Sequence, residues 1–124
     1  MTMKIHFEEA IAALKGDLRE NAERAEAAVK AALRALERED AALADAVLDG
    51  DTAIDLAENV IEEKCLDILA LYQPVATDLR RVVTILKTNG QIERLGDLAT
   101  NIAEDVIYLK RAEIVRHEQG PNRA

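Results

Sequence analysis

Aromatic residues are nearly missing from this 124-residue chain, which has one phenylalanine, two tyrosines and no tryptophan. With so few rings there is no platform on which nucleobases stack. The formal charge of −8 removes the basic surface that phosphate backbones require, so nucleic acid is not expected as a partner. No run of about 18 uncharged apolar residues occurs, and no direct membrane insertion is expected. The stretch from Met1 to Glu9 lacks the apolar core of a signal peptide. The single cysteine, Cys65, has no internal disulfide partner, which fits a reducing cytoplasm. Glycines and prolines number only five and two and stand far apart, as punctuation between long helices.

Apolar positions fill out that expectation. Phe7, Ile11, Leu14, Leu18, Ala22, Ala25, Val29, Ala32 and Leu36 are separated by threes and fours, averaging about 3.6 residues, the seam of one long helix over 7–39. A short amphipathic piece, 40–48, leads to a break at Asp49-Gly50-Asp51. Asp51 or Thr52 then offers an N-cap to a second long helix, with Ala53, Ala57, Val60, Ile61, Ile68 and Leu71 on one face. Pro74 ends it, because proline disfavours helix at the residue before it. Thr77 or Asp78 restarts the chain into a third helix reaching about Arg111. No period-two alternation predicts a strand. Three long helices joined by short turns predict an all-α, antiparallel three-helix bundle over residues 1–116, with 117–124 as a flexible tail.

The third helix carries the informative chemistry. At about 100° per residue, Glu93, Asp97, Asn101 and Glu104 share a stripe about 80° wide, opposite Leu95, Leu98, Ala99, Ile102, Val106 and Leu109. The stripe therefore faces away from the helix's own core. Carboxylates one turn apart can converge on a hard cation; they are equally the makings of a solvated face. Gly96 beside Asp97 signals a close approach by backbone or ligand, since glycine is costly in mid-helix otherwise. Towards the N-terminus the same stripe becomes apolar at Leu79, Val83 and Leu86. With Val82 and Ile85 beside them, that part of the helix is apolar nearly all round, as for a segment covered by a partner. On the second helix Asp51, Asp55, Glu58 and Glu62 form a second acidic stripe, the weaker candidate for metal ligands. A helix N-terminus and Lys64 account for acids there without any ligand.

Enzyme chemistry finds little support. A di-iron carboxylate site needs Glu-x-x-His pairs, and none occurs. His6 and His117 lie near the ends of the chain and read as solvated. Cys65 has no histidine near it in sequence and reads as a small core residue.

Two blocks, Glu63 through Val82 containing Gln73-Pro74-Val75-Ala76-Thr77-Asp78-Leu79-Arg80-Arg81, and Ile92-Glu93-Arg94-Leu95-Gly96-Asp97 with Asn101-Ile102-Ala103-Glu104, resemble the PhoU family of phosphate-uptake regulators. Leu86-Lys87-Thr88 and the stretch Val47 to Asp55 extend the similarity over nearly the whole chain. The resemblance implies a three-helix-bundle repeat, used twice in a typical member. It implies a bound metal (iron, zinc or another divalent ion) at an acidic motif matched here by Glu93 and Asp97. It further implies a non-enzymatic, cytoplasmic negative regulator that contacts the phosphate ABC transporter and its sensor histidine kinase. The alternative within the resemblance is an accessory protein of a low-affinity phosphate permease, or a metal-binding structural bundle without a regulatory role. Two positions depart from the family pattern: Leu98 stands where many members have histidine, and Gln91 where they have aspartate. Asn89-Gly90 also interrupts sequence that is usually helical. With one repeat instead of two, a homodimer joined near Leu79, Val83 and Leu86 would restore the two-repeat architecture.

Overall fold

The computed structural model describes residues 2–119. Three helices account for almost all of them: α1, Thr2–Arg38; α2, Ala41–Tyr72; and α3, Ala76–Gln119. Each packs against both others, giving the all-α three-helix bundle that the periodicity predicts.

Both turns are built from local hydrogen bonds. After α1, Glu39 adopts φ 50°, and the Asp40 amide donates back to the Ala35 carbonyl at 2.9 Å. Asp40 then caps α2: its carboxylate accepts from the Leu43 amide at 3.0 Å, satisfying a first-turn donor. At the far end Gln73 takes the left-handed conformation, with its amide on the Leu69 carbonyl. Pro74 follows directly, as expected of a helix stop.

The break expected at Asp49-Gly50-Asp51 is absent, and α2 runs through it. Val47 and Ile54, on either side of Gly50, are both buried. Interrupting the helix would pull one of them from the core, forfeiting about 1.5–3 kcal/mol of burial, against about 1 kcal/mol for a glycine in mid-helix. The same comparison keeps α3 helical through Asn89-Gly90. Helix α1 begins five residues before the expected Phe7, and α3 continues to Gln119. Residues 117–119 of the expected tail are thus helical, whereas 120–124 lie outside the described residues.

The core has two characters. Around Phe7, Ile11, Leu14, Ile61, Ile68 and Val82 it is made of large side chains. Towards the other end Ala32, Ala35, Ala44, Ala99 and Ala103 are wholly buried, so the helices meet through small side chains. Ala25, Ile54 and Ile92 join the two. Some expected core positions are corrected. Leu36, Leu71 and Leu98 are substantially exposed, and the face of α2 that points inward is Ala44, Val47, Ile54, Ile61, Cys65 and Ile68. Cys65 is buried and unpaired, and burial pushes its thiol pKa up, as for an inert packing residue.

Candidate functional site

The three seams between helices differ sharply in chemistry, and the α2–α3 seam holds the acidic groups. Members of both sequence stripes meet along its edge. The Glu58 carboxyl on α2 hydrogen-bonds that of Glu93 on α3 and feels Asp55 and Glu62. One and two turns away, Asp51 hydrogen-bonds Asp55 and feels the charge of Asp97. All four members of the α3 stripe, Glu93, Asp97, Asn101 and Glu104, are exposed, as expected of a face turned from the core, and Glu93 and Asp97 stand beside a second acidic helix. Asn101 and Glu104, the remaining members of that stripe, are exposed beyond these pairs.

Neither simple explanation of the α2 acids survives. Asp51 lies ten residues inside α2, far from the helix N-terminus whose partial positive charge would favour it. Lys64 turns away to α1, where its ammonium meets the Asp17 carboxylate at 2.8 Å. The seam keeps its negative charges close together without a cation of its own among those residues.

Gly96 makes the closeness possible. A Cβ there would sit 3.3 Å from Ile54 Cγ2 and 3.5 Å from Asp51 Oδ1. The close approach expected of backbone or ligand is instead a side-chain contact from α2.

Crowding shows in the proton affinities. Burial first, and the hydrogen bond and charge of Glu93 next, push the Glu58 carboxyl up from the usual 4.5 to about 7. Burial, then Asp55 and Asp97, raise Asp51 as well. Between about 4.5 and about 7 the folded chain holds a proton on Glu58 that the unfolded chain has released, so stability falls as pH rises through that window. Glu58→Gln, a neutral mimic, is expected to stabilise the protein at pH 8 by about 1 kcal/mol, the shift being discounted for partial solvation. At pH 4 the gain vanishes. Urea unfolding at the two pH values measures the difference, and an equal effect at both would contradict the assignment.

One residue that sequence reasoning misread sits beside the pairs. Asn89 is 3% exposed. Its amide donates to the Glu58 carbonyl at 3.0 Å, while its Oδ1 is buried with no hydrogen-bond partner among the described residues. Asn21 plays the corresponding part on α1, donating to the Ile54 carbonyl at 3.2 Å. The signal in both cases is an amide at a position where the 3.6-residue spacing demands an apolar side chain.

The donors of the seam are all carboxylate and amide oxygens, which suit a hard cation and not a soft one. Among the described residues no three His, Cys, Asp or Glu side chains are arranged around a common point, so the carboxylates meet in pairs. Of the apolar positions expected to meet a partner, Leu86 packs on the core cluster of large side chains, Val83 is half-buried and Leu79 is exposed. His6 and His117 are both exposed.

A separate charged group ties the N-terminal ends of α1 and α3 together. Arg81 holds Glu8 through two contacts, at 2.7 and 2.8 Å. Lys4 bridges to Asp78 at 2.9 Å, and both cations lie over the Phe7 ring. The Arg81 guanidinium holds the Glu8 carboxyl down at about 2, so this clamp is lost only as pH falls below the ordinary carboxylate range. Its four charges are mutually satisfied, and the clamp is read as structural.

Comparison with known proteins places this geometry in a context. The family profile described as PhoU domain matches residues 18–106, a stretch containing both acidic stripes. The phosphate-specific transport system accessory protein PhoU homolog 1 of Thermotoga maritima is 37% identical over 114 residues, covering 92% of this chain and 49% of its own length. The PhoU homolog of Aquifex aeolicus is 46% identical over 82 residues, with 66% and 37% covered. The PhoU accessory protein of Escherichia coli K12 is 40% identical over 76 residues, with 61% and 32% covered. The chain therefore spans about half, or less, of the length of these relatives. Among the described residues no helix is long and apolar enough to cross a membrane.

Proposed function

Because the chain belongs to the PhoU family, we propose that it serves phosphate transport as an accessory protein that restrains uptake. It does so in the cytoplasm, by contact with a phosphate ABC transporter and its sensor histidine kinase, and performs no chemistry on a substrate. The acidic α2–α3 seam, lying wholly inside the matched stretch, is the observation that carries the reading. A negative, solvent-reaching seam with one carboxyl poised near neutrality is a place where binding and protonation compete.

The seam binds a metal cation through oxygen donors, with iron, zinc and manganese as the ions to test and the harder ions favoured. Glu58 with Glu93, or Asp51 with Asp97, would hold it between two carboxylates, since Asp51 and Glu58 stand about 10 Å apart on α2, and the orphaned Oδ1 of Asn89 is one further oxygen near Glu58. The bound charge would offset the mutual repulsion of the carboxylates, and Glu58 would release its proton as the seam fills. Asn101 and Glu104 could contribute only from the exposed rim.

Two measurements test this reading. Deleting the gene is expected to raise phosphate uptake in phosphate-rich medium, with wild type restoring restraint and Glu93→Gln/Asp97→Asn failing to do so. Unchanged uptake in the deletion strain would contradict the regulatory role and favour a structural bundle. Elemental analysis after loading is expected to find bound metal in wild type and none in Glu58→Gln/Glu93→Gln/Asp97→Asn. A ligand present at 100 times its dissociation constant would stabilise the fold by about 2.7 kcal/mol. Absence of both metal and stabilisation would refute the metal site while leaving the uptake result to stand by itself.

A further inference from the structure

The first part of α3 is the chemical opposite of the acidic seam that follows it. Residues 79–92 contain no acidic side chain, in a chain where 24 of 124 residues are Asp or Glu. Leu79, Val83, Leu86 and Gly90 recur at gaps of four, three and four, the a/d spacing of a helix that packs against another helix. Leu79 is 39% exposed, while Val83, Leu86 and Gly90 are half-buried, so this ridge keeps one side open to solvent. Arg80, Lys87 and Arg94 flank it one heptad apart, at the e positions. All three are exposed, and their cationic groups have no ion-pair partner among the described residues.

Charge spacing identifies the occupant. Cations one heptad apart stand about 10.5 Å apart along the axis, the repeat at which a second helix presents its own flanking side chains. Duplex DNA spaces its charges by about 1.7 Å instead. A second copy of this chain does not fit. Laid antiparallel it sets cation against cation, and laid parallel it offers Val82 and Asn89, both buried, at the answering positions. Gly90 adds a separate observation. Nothing lies within 4 Å of a Cβ built there, so no contact inside the chain calls for a glycine, although glycine weakens a mid-helix position. The bare backbone leaves a hollow on the ridge, which an apolar side chain of a partner helix fills as a knob fills a hole.

We propose that this ridge docks an amphipathic helix of another protein, apolar at a and d and acidic on the flank that meets Arg80, Lys87 and Arg94. The proposal rests on the reading of the chain as a regulator that acts by contact, and names the surface and the chemistry of the contact. Two probe peptides of about three heptads, with Leu at a and d, test it: one carries Glu at g and Gln at e, the other the reverse. The first suits a parallel partner and the second an antiparallel one. Calorimetric titration is expected to show one of them binding. Arg80→Glu/Lys87→Glu is expected to weaken that binding roughly tenfold or more, and Gly90→Leu, which fills the hollow, to do the same with an unchanged helical spectrum. Failure of both peptides to bind, or binding indifferent to both variants, would overturn the proposal. Equally tight binding of a single-stranded DNA of about 20 bases would overturn the helix as occupant. In the deletion strain Arg80→Glu/Lys87→Glu is expected to leave uptake unrestrained. Full restraint by that variant would overturn the surface and leave the regulatory reading intact, whereas unchanged uptake on deletion contradicts that reading and leaves the peptide result to decide the surface.

Discussion

Gly96→Val is expected to lower unfolding free energy by about 2 kcal/mol, the range found when a close-packed contact is overfilled. Even the Cβ meets Ile54 Cγ2 at 3.3 Å and Asp51 Oδ1 at 3.5 Å. The two further methyl groups of valine have no room unless α2 and α3 move apart. Separation would carry Asp51 away from Asp97, so metal uptake should fall together with stability. Gly16 supplies the control, since nothing lies within 4 Å of a Cβ built there. Gly16→Ala is expected to raise stability by about 0.5–1 kcal/mol, the ordinary gain from removing a mid-helix glycine. Urea titration of the two variants measures both signs, and a Gly96→Val protein as stable as wild type would refute the tight contact.

A larger loss, about 3 kcal/mol, is expected from Ile61→Ala. Ile61 is 1% exposed and packs with Phe7, Ile11, Leu14 and Cys65 where all three helices meet through large side chains. Truncation removes the burial of three carbons and leaves a cavity that rigid helices cannot fill. Leu66, five residues on but 52% exposed, serves for comparison. Leu66→Ala is expected to change stability by no more than about 0.5 kcal/mol. Because total stability is about 5–15 kcal/mol for domains generally, Ile61→Ala should also lower the thermal midpoint visibly. A loss under about 1 kcal/mol would mean that this end of the bundle is not packed as described. Both experiments separate the fold from the seam, since Ile61 is a core residue whereas Gly96 belongs to core and seam alike.

The fold was largely legible, for identifiable reasons. Phe7, Ile11, Leu14 and Ala25 recur at helical spacing, and Pro74 after Gln73 forces a stop whatever the surroundings. What misled was Gly50 between two aspartates, a local signal for a break that the burial of Val47 and Ile54 outweighs. Asn89-Gly90 misled in the same way: its polarity marks an interruption in sequence, yet Asn89 turns inward to the Glu58 carbonyl. In the candidate site, both acidic stripes could be drawn on helical wheels, including Glu58 and Glu93. Their meeting could not, because a wheel describes one helix and gives no rotation relative to its neighbour.

By itself, then, the sequence determined the elements that local physics controls: three long helices, the stops near Glu39 and at Pro74, and an acidic face on each of two, whereas the start of the second helix, expected at Asp51 or Thr52, lies at Asp40. It carried the family resemblance too, in the Gln73-Pro74 block and in the block from Glu93 to Asp97. Tertiary structure alone decided which seam each face enters. Packing the large and small side chains of three helices together fixes their rotations, and those rotations set Glu58 against Glu93 while leaving Leu56 and Val60 uncovered on the opposite seam. Side-chain proton affinity follows from that choice, since a carboxyl near 7 requires burial and a second acid across the seam, which no single helix can provide.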